Sequence, residues 1–201
     1  MRLAEESENA GDAASAVNWL TRACDSARKL LGQQADPDYA EHRLFRSLER
    51  RAKLLAQLDR HADASADLAE AIRLTLDDQR RWRLQLQRAA SLALTNQLSE
   101  AVQQAEAVAA ELQQESVSAA DAELLVEAAR VIARTCDAKA SPSDPPLATE
   151  TVARNAGRAL ELLKQAAARG SFQTPEAREA LQNDAAFAAL RGREEWKKLV
   201  K

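Results

Sequence analysis

A chain of 201 residues, 46% hydrophobic and 29% charged with a net charge of −3, is long enough to bury a core without disulfides or a metal, since at this size roughly 70% of the unfolded surface can be removed from water. Its 45 alanines stand against seven aromatics, five glycines and five prolines, a balance that excludes collagen-like, membrane-spanning and low-complexity classes and leaves too few β-branched and aromatic residues for a sheet-rich fold. The slight acidity provides no general attraction to nucleic acid or to an anionic membrane.

Hydrophobic periodicity predicts an all-α chain, with helices over 2–10, 13–32, 37–58, 61–77, 79–96, 99–115, 119–138, 147–168 and 175–183 and a short one near 193–200. The N-terminal run Met1-Arg2-Leu3-Ala4-Glu5-Glu6 has no hydrophobic signal core, and no apolar run approaches the ~18 residues that cross a bilayer. Gly11 separates the first helix from the second. Asp36-Pro37 supplies an N-cap followed by proline at the first helical position. Ser99, Ser118 with Asp121 three residues on, and Thr174-Pro175 are further helix starts. Apolar positions keep to one face: Leu44, Leu48, Ala52 and Leu55 in the third helix, and Ala122, Leu125, Ala129, Ile132 and Cys136 in the seventh. Between the seventh and eighth helices, Ala140-Ser141-Pro142-Ser143-Asp144-Pro145-Pro146 breaks the pattern; it reads as a loop joining two helices of one array.

Residue types that carry chemistry are sparse. Cys24 and Cys136 form no CxxC pair and continue apolar stripes, the place of small buried hydrophobes. His42 and His61 lie on polar stretches and are expected at the surface. The clusters Arg43, Arg46, Arg50, Arg51 and Arg80, Arg81, Arg83, Arg88 are expected on solvated helix faces, paired with neighbouring acids. No phosphate-binding glycine loop, nucleophile elbow, HExxH or kinase catalytic motif occurs. His42-Arg43-Leu44 lacks the aspartate of a kinase catalytic loop. The chain is therefore expected to be non-catalytic and to need no metal or cofactor.

A local pattern recurs. Soon after a turn comes a small residue, an apolar one four later, and another small or apolar one three beyond: Ala16/Leu20/Ala23, Ala64/Leu68/Ala71, Ala101/Ala105/Val108 and Ala159/Leu163/Ala166. The intervening helices carry Ala52/Leu55, Ala89/Leu92 and Ala129/Ile132. Small residues at such points let antiparallel helices approach closely while the larger one fills the adjoining space. Pairs of this kind stack into a solenoid.

The pattern resembles tetratricopeptide repeats, most clearly from Arg51 through Ala71 and again from Arg88 through Val108. The intervals between triplets are unequal and the usual helix-ending proline is missing. Further on, Leu124 to Ala133, the run Ala156-Gly157-Arg158-Ala159-Leu160-Glu161-Leu162-Leu163 through Gly170, and Asp184 to Arg193 followed by Trp196 and Leu199 resemble the terminal tetratricopeptide segment behind the catalytic domain of bacterial multidomain serine/threonine protein kinases. Here Ala185 stands for the usual proline and Trp196 for the commoner phenylalanine. Phe187/Leu190 and Trp196/Leu199 form apolar pairs on short helices hinged at Gly192, a cap for the last repeat.

The resemblance implies one continuous domain, with helical repeats over 1–138, a Pro-rich loop at 139–147, and a last repeat helix with its cap over 148–201. It implies a scaffolding or regulatory region of a bacterial serine/threonine kinase that binds a protein or peptide partner, or the parent kinase domain. Nucleic acid and membrane insertion are not expected. A cytoplasmic setting follows unless the parent chain spans a membrane. In such arrays the first helices of each pair line a peptide groove, which places Arg46, Lys53, Arg83, Arg130 and Arg134 there. A basic groove would prefer an acidic or carboxylate-bearing peptide; the alternative is that these cations only pair with neighbouring acids. Two other readings stay open: a free-standing repeat adaptor or chaperone, and a helical-bundle enzyme without a recognisable motif.

Overall fold

The computed structural model describes residues 2–9, 11–33, 36–114, 119–137 and 148–200. Among these, every regular element is helical: α1 (Arg2–Asn9), α2 (Ala13–Gly32), α3 (Pro37–Gln57), α4 (His61–Leu74), α5 (Asp78–Leu94), α6 (Leu98–Gln114), α7 (Ala119–Arg134), α8 (Thr149–Ala168), α9 (Pro175–Asn183), a 3-10 helix (Ala185–Leu190) and α10 (Glu194–Leu199). None of these helices is long and apolar enough to cross a membrane. The chain divides into two compact units, Met1–Ser91 and Leu92–Lys201, the division falling inside α5. The expected start at Ser118 and the Pro-rich loop at 139–147 lie outside the described residues.

In the first unit α1 packs on α2, α2 on α3 and α3 on α4. One cluster joins them: Ala16, Leu20 and Cys24 of α2, Leu44, Leu48, Ala52 and Leu55 of α3, Ala64, Leu68 and Ala71 of α4, and Leu84 of α5. In the second unit α6 packs on α7 and α7 on α8, the 3-10 helix packs on α7 and α8, and α10 on α8. Every residue of the recurring triplets and pairs is buried, including Ala101, Ala105, Val108, Ala129, Ile132, Ala159, Leu163 and Ala166. The alanines are thus buried on the faces that pack, and the leucines among them remove apolar surface worth ~1.5–3 kcal/mol each. Phe187, Leu190 and Trp196 are buried too, with the rings of Phe187 and Trp196 5.6 Å apart.

The helix starts follow local chemistry. Asp36 accepts from the Tyr39 N–H and Thr174 from the Ala177 N–H, each ahead of a proline at the first turn. Asp12 caps α2 through the Ser15 N–H in the same way. Three turns share one way of ending a helix. Asp59 (φ 56°), Asn96 (φ 64°) and Gly170 (φ 96°) are left-handed, and the residue after each donates its N–H to a carbonyl five back: Arg60 to Leu55, Gln97 to Leu92 and Ser171 to Ala166. This closes orphan carbonyls by the 6→1 bond of a Schellman turn. Asp and Asn stand in for glycine because they tolerate φ > 0 better than most side chains. Leu55 and Leu92, the acceptors of the first two turns, are the paired residues of the two best-matching segments.

Some expectations need correction. α4 ends at Leu74, not 77: Thr75 is extended, its hydroxyl accepts from the Asp77 N–H, and Asp77 in turn caps α5 through the Arg80 N–H at 2.6 Å. Leu76, inside the span expected to be helical, is 97% exposed. Helix α6 starts one residue before Ser99. Cys136 is half-buried where Cys24 is fully buried. His61 is half-buried rather than at the surface, with Nε2 3.6 Å from Asp59 Oδ1. The arginine clusters are not uniformly solvated: Arg43 and Arg88 are half-buried, and Arg51 is clamped inside the first unit by Asp67.

Candidate functional site

Helix α3 turns Ala40, Leu44, Leu48, Ala52 and Leu55 inward, which leaves Arg46 and Lys53 on the outside. They are two turns apart and so lie on one side of the helix. Arg83 is likewise exposed, between the buried Trp82 and Leu84 of α5. The two helices are tied near this surface by Arg80, whose guanidinium lies 4.9 Å over the Phe45 ring and whose Nε is 3.8 Å from Glu49 Oε1. Other cations here are engaged: Arg50 pairs with Glu5 at 2.7 Å and Arg43 donates to the Tyr39 hydroxyl at 3.3 Å. Arg46, Lys53 and Arg83 have no hydrogen bond or ion pair among the described residues. They are free to meet an anionic group.

The two groove residues on α7 have a different setting. Arg130 Nε donates to Asp184 Oδ2 at 2.6 Å, Nη1 donates to Glu127, and the guanidinium lies 5.9 Å from the Phe187 ring centre. Burial disfavours its charge, but the Glu127 and Asp184 carboxylates outweigh it and hold its pKa above the usual value. Asp184 shows the converse. Burial opposes its ionisation, while the Ala186 N–H, Arg130 and Arg134 together hold its pKa below the ordinary value. Arg130 thus clasps α7 to the start of the 3-10 helix, and half-buried Arg134 adds to the same field. The partner is 54 residues away in sequence, so only a neighbour-by-neighbour view of the fold reveals it.

Two further clasps also join distant segments. Arg51 of α3 makes a two-pronged pair with Asp67 of α4, and its Nη1 donates to Thr21 of α2 at 3.0 Å. Arg158 of α8 pairs with Glu106 of α6 and Glu161 of its own helix. Burial pushes the Cys24 thiol up to about 11, so it is not a thiolate at neutral pH. His42 is exposed. Among the described residues no three His, Cys, Asp or Glu side chains group as a metal site.

The chain was set against protein-family models, curated proteins and solved structures, and it matches none of them.

Proposed function

We propose that this chain is a tetratricopeptide-like interaction module whose first-helix face, represented by Arg46, Lys53 and Arg83, takes an acidic or carboxylate-bearing peptide of a partner protein. The observation that carries the reading is a separation of faces. The small–large–small residues are buried, while these three cations on the other side of α3 and α5 are exposed and have no partner among the described residues. Exposed cations act through steering and through charge-assisted hydrogen bonds, so binding falls as salt rises. The setting we propose is the non-catalytic C-terminal region of a bacterial serine/threonine kinase, where the module recruits substrates or regulators or packs on the kinase domain. The segment from Leu124 to Trp196 supports that setting.

Fluorescence anisotropy with a labelled, glutamate-rich octapeptide tests the binding claim. The double variant R46E/R83E is expected to weaken binding on the order of tenfold or more, equivalent to about 1.4 kcal/mol, and to flatten its salt dependence. Unchanged affinity would mean that these side chains only solvate the helix. The kinase setting is tested by the coding sequence 5′ of Met1: a Gly-rich loop, strand lysine, HRD and DFG in the same frame support it, and an independent promoter and start site refute it.

A further inference from the structure

A cleft of about 520 Å³ lies within the second unit, between α7 and α9, with the segment 169–172 after α8 completing its lining. Its volume falls in the range of small-molecule sites. Val126, Phe172, Ala177 and Leu181 supply apolar wall, and four charged residues stand among them: Glu123, Glu127, Arg130 and Arg169. Glu127 and Arg130 neutralise each other, and Arg130 is held a second time by Asp184. That leaves one carboxylate, Glu123, and one guanidinium, Arg169, neither with an ion-pair partner among the described residues.

The donors on the α8–α9 segment are more telling. Gly170, at φ 96°, turns the chain sharply out of α8, and Arg169 and Ser171 on either side of it both line the cleft. Arg169 Nη1 and Ser171 Oγ are buried and have no hydrogen-bond partner among the described residues. Buried polar groups are almost always satisfied, and a pair of orphans beside one cavity points to an acceptor supplied from outside. A carboxylate offers acceptor sites to both a guanidinium and a hydroxyl. The unpaired Glu123 on the α7 wall asks for the opposite sign.

We infer that this cleft binds a small zwitterion with an apolar body, the size of a free amino acid or a dipeptide. Its carboxylate is held by Arg169 and Ser171, its ammonium faces Glu123, and its side chain lies against Val126 and Phe172. The site is independent of the basic face in residues 1–91.

Calorimetric titration of the 201-residue protein with phenylalanine and with phenylalanyl-leucine tests it, alongside N-acetyl-phenylalanine, which lacks the ammonium, and phenylalaninamide, which lacks the carboxylate. At least one zwitterion should bind saturably, and each one-ended analogue of phenylalanine should bind at least tenfold more weakly if phenylalanine is the binder. If only the dipeptide binds, its N-acetyl and amide forms take that place. R169Q should bring the zwitterion down to the affinity of the amide, and E123Q to that of the acetylated form, with helical circular dichroism unchanged in both. Absence of binding by both zwitterions, equal binding of the one-ended forms, or R169Q binding like the parent protein would each overturn the assignment.

Discussion

The clamp at Arg51 is the sharpest energetic test of how the first unit holds together. Arg51 Nε and Nη2 each lie 2.7 Å from an Asp67 oxygen, and the two side chains are only 13% and 8% exposed. Nη1 reaches Thr21, which itself donates to the Val17 carbonyl, so one guanidinium ties α2, α3 and α4. Removing either partner leaves a charge out of water without its counter-ion, which costs about 3–5 kcal/mol. R51M and D67L should therefore each destabilise the unit by that amount. Replacing both removes the desolvation cost along with the attraction, and R51M/D67L should return to within about 1 kcal/mol of the parent or exceed it. A double-mutant cycle then shows a coupling of several kcal/mol. Urea unfolding in a W196F background isolates the signal, because Trp19 and Trp82 lie in residues 1–91 and Trp196 does not. Single substitutions costing less than about 1 kcal/mol, as for an exposed pair, would refute the reasoning.

The helix register has its own test in α4. Leu68→Ala removes a buried leucine of the cluster and should cost about 2–5 kcal/mol; Ala64→Phe forces bulk into a fully buried contact and should cost about 1–3 kcal/mol. Near-neutral values for both, in the same urea assay, would mean that these faces do not meet. Asp184 sets an acid limb in the second unit. Because its folded pKa is lowered, its contribution is complete above the unfolded value of about 3.9 and is lost as pH falls through the folded value. Thermal melts followed by Trp196 emission in a W19F/W82F background, between pH 5 and pH 2, should show a steeper loss with Asp184 present than with D184N, and parallel curves would contradict the Arg130–Asp184 clasp.

Most of the helical spans were readable because their causes are local. Asp36-Pro37 and Thr174-Pro175 announce starts through a side chain and a ring that act within three residues, and the alanines at 16, 52, 64, 89 and 101 announce contacts through a periodicity confined to one helix. The misplaced end of α4 is also local in origin. The competing hydrogen bonds of Thr75 and Asp77 end the helix before 77. The site was legible only in part. The resemblance to tetratricopeptide first helices assigns Arg46, Lys53, Arg83, Arg130 and Arg134 to one face, and the structure leaves the first three exposed on α3 and α5. Whether an arginine is spent depends on acids elsewhere in the chain, and Asp184, Asp67 and Glu106 lie 54, 16 and 52 residues from their partners. The α7–α9 cleft left no trace in the sequence, since Gly170 and its neighbours read only as the end of a helix.

An acidic peptide should land on the basic face of α3 and α5. Nitrogen-15 chemical-shift mapping of the 201-residue protein, titrated with the glutamate-rich octapeptide at low salt, measures this directly. Perturbations should concentrate at the backbone amides around Arg46, Lys53 and Arg83 of α3 and α5 and disappear in R46E/R83E. Shifts confined to other helices, or none at saturating peptide, would contradict the proposal that this basic face is the interaction surface.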